Sequence, residues 1–156
     1  MQTRRLFVLG VCTAAMTGAT QARPCKVPRI LFVCPAGTVK SAIAREMLKR
    51  QALTEGVRVA VQSRGVELQD HVSPALAARL DADGINTKAE PLRKFSRSDT
   101  RSADYVIAFD EAADTPGLEA AMRWDVPSWN DQYDDAKSQT SGKIKALLAE
   151  IRARTC

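Results

Sequence analysis

The chain has 156 residues, 45% of them hydrophobic and 26% charged, with a formal net charge of +5. That length fits one domain, and that composition belongs to ordinary globular proteins. Aromatic residues make up only 5%, and the basic residues are scattered. A nucleic-acid binder needs a basic stripe interleaved with aromatics, so nucleic acid is excluded as a partner. A mild positive field suits an anionic small substrate or a phosphorylated protein surface.

Residues 1–22 are expected to be a signal peptide, with the domain proper at 23–156. Arg4 and Arg5 make a basic start, Leu6–Ala19 is apolar and small, and Thr20-Gln21-Ala22 offers a small-residue cleavage site after Ala22. This is the layout of a secretory signal. The apolar run is shorter than the roughly 20 residues of a membrane span, so no stable membrane span is expected; a buried strand or an anchor are the alternatives. Thr3-Arg4-Arg5-Leu6-Phe7-Val8 also resembles a twin-arginine export signal, and the choice between the two export routes stays open. The expected location is exported, periplasmic. Removal of residues 1–22 leaves a charge of +3 and three cysteines, Cys25, Cys34 and Cys156.

Val27–Val33 is an apolar, β-branched run and predicts a buried strand. Cys34–Val39 is a short loop. Ser41–Glu55 predicts a helix, with Ala42, Ile43, Met47 and Leu48 at helical spacing and Gly56 as its stop. Val57–Gln62 predicts a second strand. Ser73–Asp83 predicts a helix capped by Ser73, with Pro74 in its first turn and Gly84 after its end. Ile85–Glu90 reads as a short strand, Ala103–Phe109 as a buried strand, Pro116–Arg123 as helical and Trp124–Val126 as a last short strand. Ser141–Arg154 is amphipathic, with Ile144, Leu147, Leu148 and Ile151 on one face. Strands alternating with helices predict a three-layer α/β/α fold, with a central parallel sheet of about four strands covered on both faces. Its functional site is expected at the carboxyl ends of the strands.

The first strand feeds Cys34-Pro35-Ala36-Gly37-Thr38-Val39-Lys40-Ser41 and then a helix. A turn of this kind aims backbone N–H groups inward, and the helix N-terminus adds positive potential. Together they cradle a phosphate and favour the anionic, nucleophilic form of a thiol at the turn's start. Lys40 supplies a positive charge for the anion, and Ser41 a hydroxyl for the sulfur. The competing reading is a buried cysteine that ends a core strand.

The Cys34–Ser41 segment resembles the Cys-x5-Arg-Ser signature of low-molecular-weight tyrosine phosphatases and their arsenate reductase relatives. Gln62-Ser63-Arg64-Gly65, Pro74–Ile85, Ala103–Asp110 and Trp124-Asp125-Val126-Pro127 resemble later family segments in the same order, so the likeness runs from about Arg29 to Arg154. The resemblance implies the phosphotyrosine phosphatase I-like fold and a cysteine-dependent phosphomonoester hydrolase with Cys34 as nucleophile. Pro35, Ala36, Gly37, Thr38 and Val39 would form the phosphate-binding loop, and Lys40 and Ser41 would assist.

Three departures bear on activity. Lys40 stands where the family has Arg, whose planar fork grips two oxygens at once. Gly37 stands where the family has a bracing Asn. Ser128-Trp129 stands where the family has the Asp-Pro pair whose Asp protonates the leaving group. Asp131, three residues on, is the candidate substitute, with Asp125 behind it. A general acid contributes about 10²–10⁴-fold, so the enzyme is expected to be weakened. The alternative is a catalytically reduced phosphate- or phosphoprotein-binding module; arsenate reduction is a lesser alternative, because Val39 is not Cys and no resolving cysteine is visible. His71, the only histidine, reads as a surface residue. No cofactor and no metal site are expected, since no His, Cys and acid cluster has ligand spacing. A monomer is expected.

In a parallel α/β fold the start of the first strand and the end of the last helix lie on the face away from the site. In an oxidising compartment Cys25 and Cys156 are therefore expected to form a disulfide, leaving Cys34 as the free thiol.

Overall fold

The computed structural model describes residues 26–154. Cys25, Cys156 and the expected signal at 1–22 lie outside the described residues. A four-stranded, all-parallel sheet runs in the order β2-β1-β3-β4, formed by β1 (Arg29–Cys34), β2 (Ala60–Gly65), β3 (Tyr105–Phe109) and β4 (Met122–Trp124). Four helices accompany it: α1 (Lys40–Thr54), α2 (Pro74–Ala82), the short α3 (Arg97–Arg101) and α4 (Tyr133–Arg154). Single 3-10 turns occupy Thr87–Ala89 and Asp110–Asp114.

β1 is central, and only Arg29 of its six residues is exposed. Its alternate side chains enter different cores. Ile30, Phe32 and Cys34 join Leu48 of α1 and Ile144, Leu148 and Ile151 of α4. Leu31 and Val33 join Ala108, Ala112 and Leu118 on the other face. Burial on both faces explains the unbroken apolar run. Phe32, Phe109 and Trp124 meet with ring centroids 5.6–6.0 Å apart, filling the core below the carboxyl ends of β1, β3 and β4. A third cluster, with Ile43, Leu76, Leu80, Trp129 and Tyr133, joins α1, α2 and α4.

Ser73 caps α2, its hydroxyl accepting the Leu76 N–H at 3.1 Å, with Pro74 in the first turn. Three expected elements differ. Ile85–Glu90 is not a strand: Asn86 caps the 3-10 turn at Thr87–Ala89, and Ile85 alone enters the core. Pro116–Arg123 is not a helix: Gly117, at φ 101°, turns the chain, Leu118 drops into the core, and β4 begins at Met122. α4 begins at Tyr133 rather than Ser141, because Tyr133, Ala136 and Thr140 are already buried along its inner face. No helix among the described residues is long and apolar enough to cross a membrane.

Candidate active site

β1 delivers Cys34 to the carboxyl edge of the sheet, and the chain turns through Pro35–Val39 into α1. Gly37 makes the turn possible. Its φ is +81°, and a Cβ there would lie 2.7 Å from Leu92 Cδ1 and 2.9 Å from Gly65 Cα. A bracing Asn tolerates that dihedral, but its Cβ would not fit this packing. β2 ends beside the loop, and its continuation follows it: Val66, Glu67 and Gln69 donate N–H bonds to the carbonyls of Cys34, Pro35 and Ala36 at 3.1, 2.9 and 3.2 Å.

The Cys34 thiol is 2% exposed and unpaired. Its sulfur accepts the Gly37 N–H at 3.1 Å and lies 3.0 Å from Ser41 Oγ. Ser41 is itself held by the Arg64 carbonyl at 3.2 Å. Val39 precedes α1 without a side-chain cap. Among the described residues, the N–H groups of Ala36, Val39, Lys40 and Ser41 donate to no protein acceptor. Unpaired amides on a tight loop and an uncapped helix start together make an anion cradle beside a thiol.

Lys40 does not lie free over this cradle. Its ammonium pairs with the Asp110 carboxylate and donates to the Val126 carbonyl at 2.6 Å. Asp110 also accepts the Val126 N–H at 3.4 Å. Lys40 thus ties the loop after β1 to the ends of β3 and β4. Asp110 holds φ +50°, the one non-glycine in the left-handed region among the described residues. Such strain persists where the surroundings over-determine it, and here both carboxylate oxygens are engaged.

Cys34, Pro35, Ala36, Val39 and Lys40 line a cleft of about 360 Å³. Ser128, Trp129 and Asn130 line it too, together with Asp110, Glu111 and His71. Gly37 and Thr38 instead face a second cavity behind the loop. Trp129 is 1% exposed and packs edge-on against Tyr133 at 5.3 Å, which anchors the Ser128 segment in the core. Asp131 is exposed and does not line the cleft. The chain is fastened on both sides of it, by Gln132 N–H to the Ser128 carbonyl and by Asn130 to His71 and Ser73. Asp125 pairs with Arg123 at the surface.

His71, Asp110, Glu111 and Asn130 are cleft residues that sequence reasoning did not assemble. His71 is indeed exposed, yet it lines the cleft that holds Cys34. No spacing announces it: its position follows from the Gln69–Val72 segment running along the loop. Among the described residues, no group of three or more His, Cys, Asp and Glu side chains is arranged to hold a metal ion.

The cysteine thus sits at the mouth of an amide-lined loop, on the carboxyl edge of a four-stranded parallel sheet. A sequence model of the low molecular weight phosphotyrosine protein phosphatases matches residues 29–144, and the chain belongs to that family. No curated protein matches the sequence. Among solved structures, YfkJ from Bacillus subtilis is similar, with 20% identity and a TM-score of 0.70 over 84% of this chain and 98% of that one. The low molecular weight protein tyrosine phosphatase from T. tengcongensis is also 20% identical, with a TM-score of 0.64 over 79% of this chain and 99% of that one. A thioredoxin-dependent arsenate reductase from Corynebacterium glutamicum is 24% identical, with a TM-score of 0.63 over 81% of this chain and 63% of that one. These likenesses show the fold.

Proposed function

We propose that the chain is a cysteine-dependent phosphomonoester hydrolase acting on phosphorylated protein or a small phosphorylated substrate. The observation that carries this reading is the Cys34 sulfur, held by the Gly37 N–H and Ser41 Oγ at the mouth of a loop whose Ala36 and Val39 amides are unpaired. A group needed only for anion binding would not require a thiol. In the first step the Cys34 thiolate attacks phosphorus; an S–P bond forms and the P–O bond breaks. The leaving oxygen takes a proton. Water then attacks phosphorus, the S–P bond breaks, and inorganic phosphate and the thiolate are released. The loop amides hold the non-bridging oxygens, where charge is concentrated in each transition state.

A second reading, a phosphate-binding module with little turnover, draws on the engagement of Lys40 by Asp110 and Val126. One experiment separates the two. The full chain and Cys34→Ser are given p-nitrophenyl phosphate, whose leaving group needs little help from an acid. Turnover that disappears in Cys34→Ser supports the hydrolase. An inert wild type whose Cys34 is nonetheless protected from iodoacetamide by phosphate supports the binding module.

Export to the periplasm remains a proposal resting on residues 1–22, as does the Cys25–Cys156 pairing. N-terminal sequencing and thiol mapping of protein recovered from the periplasm test both.

A further inference from the structure

With Ser128 at the position of the family's acid, the leaving group needs another proton source. Four side chains with titratable protons line the Cys34 cleft beside the nucleophile: Lys40, Asp110, Glu111 and His71. Lys40 and Asp110 are engaged with each other and with Val126. Glu111 is an exposed residue of the 3-10 turn and has no hydrogen-bond partner among the described residues to orient it.

His71 is placed differently. Its N–H donates to Thr38 Oγ1, in the phosphate loop itself, at 3.2 Å. Its carbonyl accepts from Asn130 Nδ2, two residues beyond Ser128, at 2.9 Å. Thr38 Oγ1 in turn donates to the Gln69 carbonyl at 2.8 Å, and Asn130 Oδ1 accepts the Ser73 N–H at 3.2 Å. The backbone of His71 is therefore bolted both to the loop that holds the nucleophile and to the segment that lacks the acid. Its Nε2 lies 2.8 Å from Gln69 Oε1. An amide oxygen only accepts, so with Nε2 as the donor in this contact Nδ1 is the ring nitrogen left for other chemistry.

We infer that His71 is the proton donor to the leaving group, an assignment that rests on the hydrolase reading above. In the imidazolium form Nε2–H stays on Gln69 and Nδ1–H passes to the departing oxygen as the P–O bond breaks. The neutral imidazole that remains can take a proton from the attacking water at Nδ1 as the S–P bond breaks, which restores the starting state. Histidine is the side chain that holds a transferable proton between about pH 5 and 8. The titratable and charged groups near it are Cys34 and Lys40, Asp110 and Glu111 across the same cleft, Asp70 beside it in sequence, and Asp131 beside Asn130.

The test compares phenyl phosphate, a poor leaving group, with p-nitrophenyl phosphate in the full chain, His71→Asn, Glu111→Gln and Asp131→Asn. His71→Asn is expected to lower the ratio of phenyl to p-nitrophenyl kcat/KM by about 10²-fold. Inhibition by inorganic phosphate reports an intact loop in each variant. An unchanged ratio in His71→Asn overturns the assignment, as does an equal loss on both substrates. The ratio falling instead in Glu111→Gln or Asp131→Asn gives the proton to that carboxylate and also overturns it. An inert wild type removes the hydrolase reading and this assignment with it; an active wild type whose ratio ignores His71 removes only the assignment.

Discussion

Gly65→Ala tests whether close backbone contact shapes the phosphate loop. Gly65 ends β2, opposite Cys34 in the ladder. A Cβ there would meet three loop backbone atoms, the Ala36 carbon and oxygen and the Gly37 nitrogen, each at 2.8 Å. Its φ is not in the left-handed region, so the substitution adds bulk without dihedral strain. β2 cannot easily retreat. The Gly65 N–H donates to the Arg93 carbonyl at 3.0 Å, and its carbonyl accepts the Phe95 N–H at 2.8 Å. The loop must therefore give way, by about 0.6 Å to reach ordinary contact. Overpacking of this kind costs about 1–3 kcal/mol. For a chain of this size that is a Tm lower by roughly 2–12 °C. A 1 Å misplacement can cost about 10²-fold in rate, so a shift of this size predicts roughly tenfold in kcat/KM.

The assay is thermal unfolding followed by circular dichroism, alongside phosphate inhibition and turnover of p-nitrophenyl phosphate. Gly56→Ala is the control. Gly56 has φ +67° with no atom within 4 Å of an added Cβ, so it strains the backbone far from the loop. It should lower Tm by a few degrees and leave phosphate inhibition as in the wild type. Gly65→Ala with wild-type Tm and phosphate inhibition would refute the argument that this contact sets the position of the loop amides.

Asp110→Asn removes the charge that competes for Lys40 and should tighten phosphate inhibition about tenfold; weaker inhibition would show that Asp110 presents Lys40 to the anion rather than withholding it. Asp83 is held below its ordinary range, first by the hydrogen bond from Lys137 at 2.6 Å and then by that from the Tyr133 hydroxyl. A depressed carboxylate stabilises the fold above its unfolded value and loses that contribution as pH falls through its folded value. Asp83→Asn should therefore lower Tm at pH 7, with the gap to wild type narrowing as pH falls below the ordinary carboxylate range; a gap that stays constant with pH would place the effect in packing instead of charge.

The parts of this fold that were legible in the sequence are those whose cause is local. The run at Ile30–Val33 is apolar because both faces of β1 are covered. Ser73-Pro74 and Gly84 mark the ends of α2 by their own conformational preferences. Cys34 and Ser41 meet because a six-residue turn brings them together. What was not legible is set by partners distant in sequence. Pro116–Arg123 has passable helical composition, but Gly117 and the pull of Leu118 into the core decide otherwise. The last helix, expected from Ser141, starts at Tyr133, because Tyr133, Ala136 and Thr140 find buried partners that its local sequence does not announce. His71, Asp110 and Asn130 come from three loops that only the assembled sheet brings to one cleft.

Lys40 shows the same division most sharply. Its position is readable; its direction is not, because Asp110 and Val126 set it from 70 and 86 residues away. An ammonium carries three N–H donors on one atom, whereas a guanidinium carries five spread over a planar fork. An arginine here could satisfy Asp110 and Val126 and still present a flat edge to two phosphate oxygens. Lysine has two of its three donors committed to those partners, which leaves one for the substrate. The anion must then rest chiefly on the loop amides. That dependence is why moving them by a fraction of an ångström, as Gly65→Ala does, should cost more here than in a relative with arginine at this position.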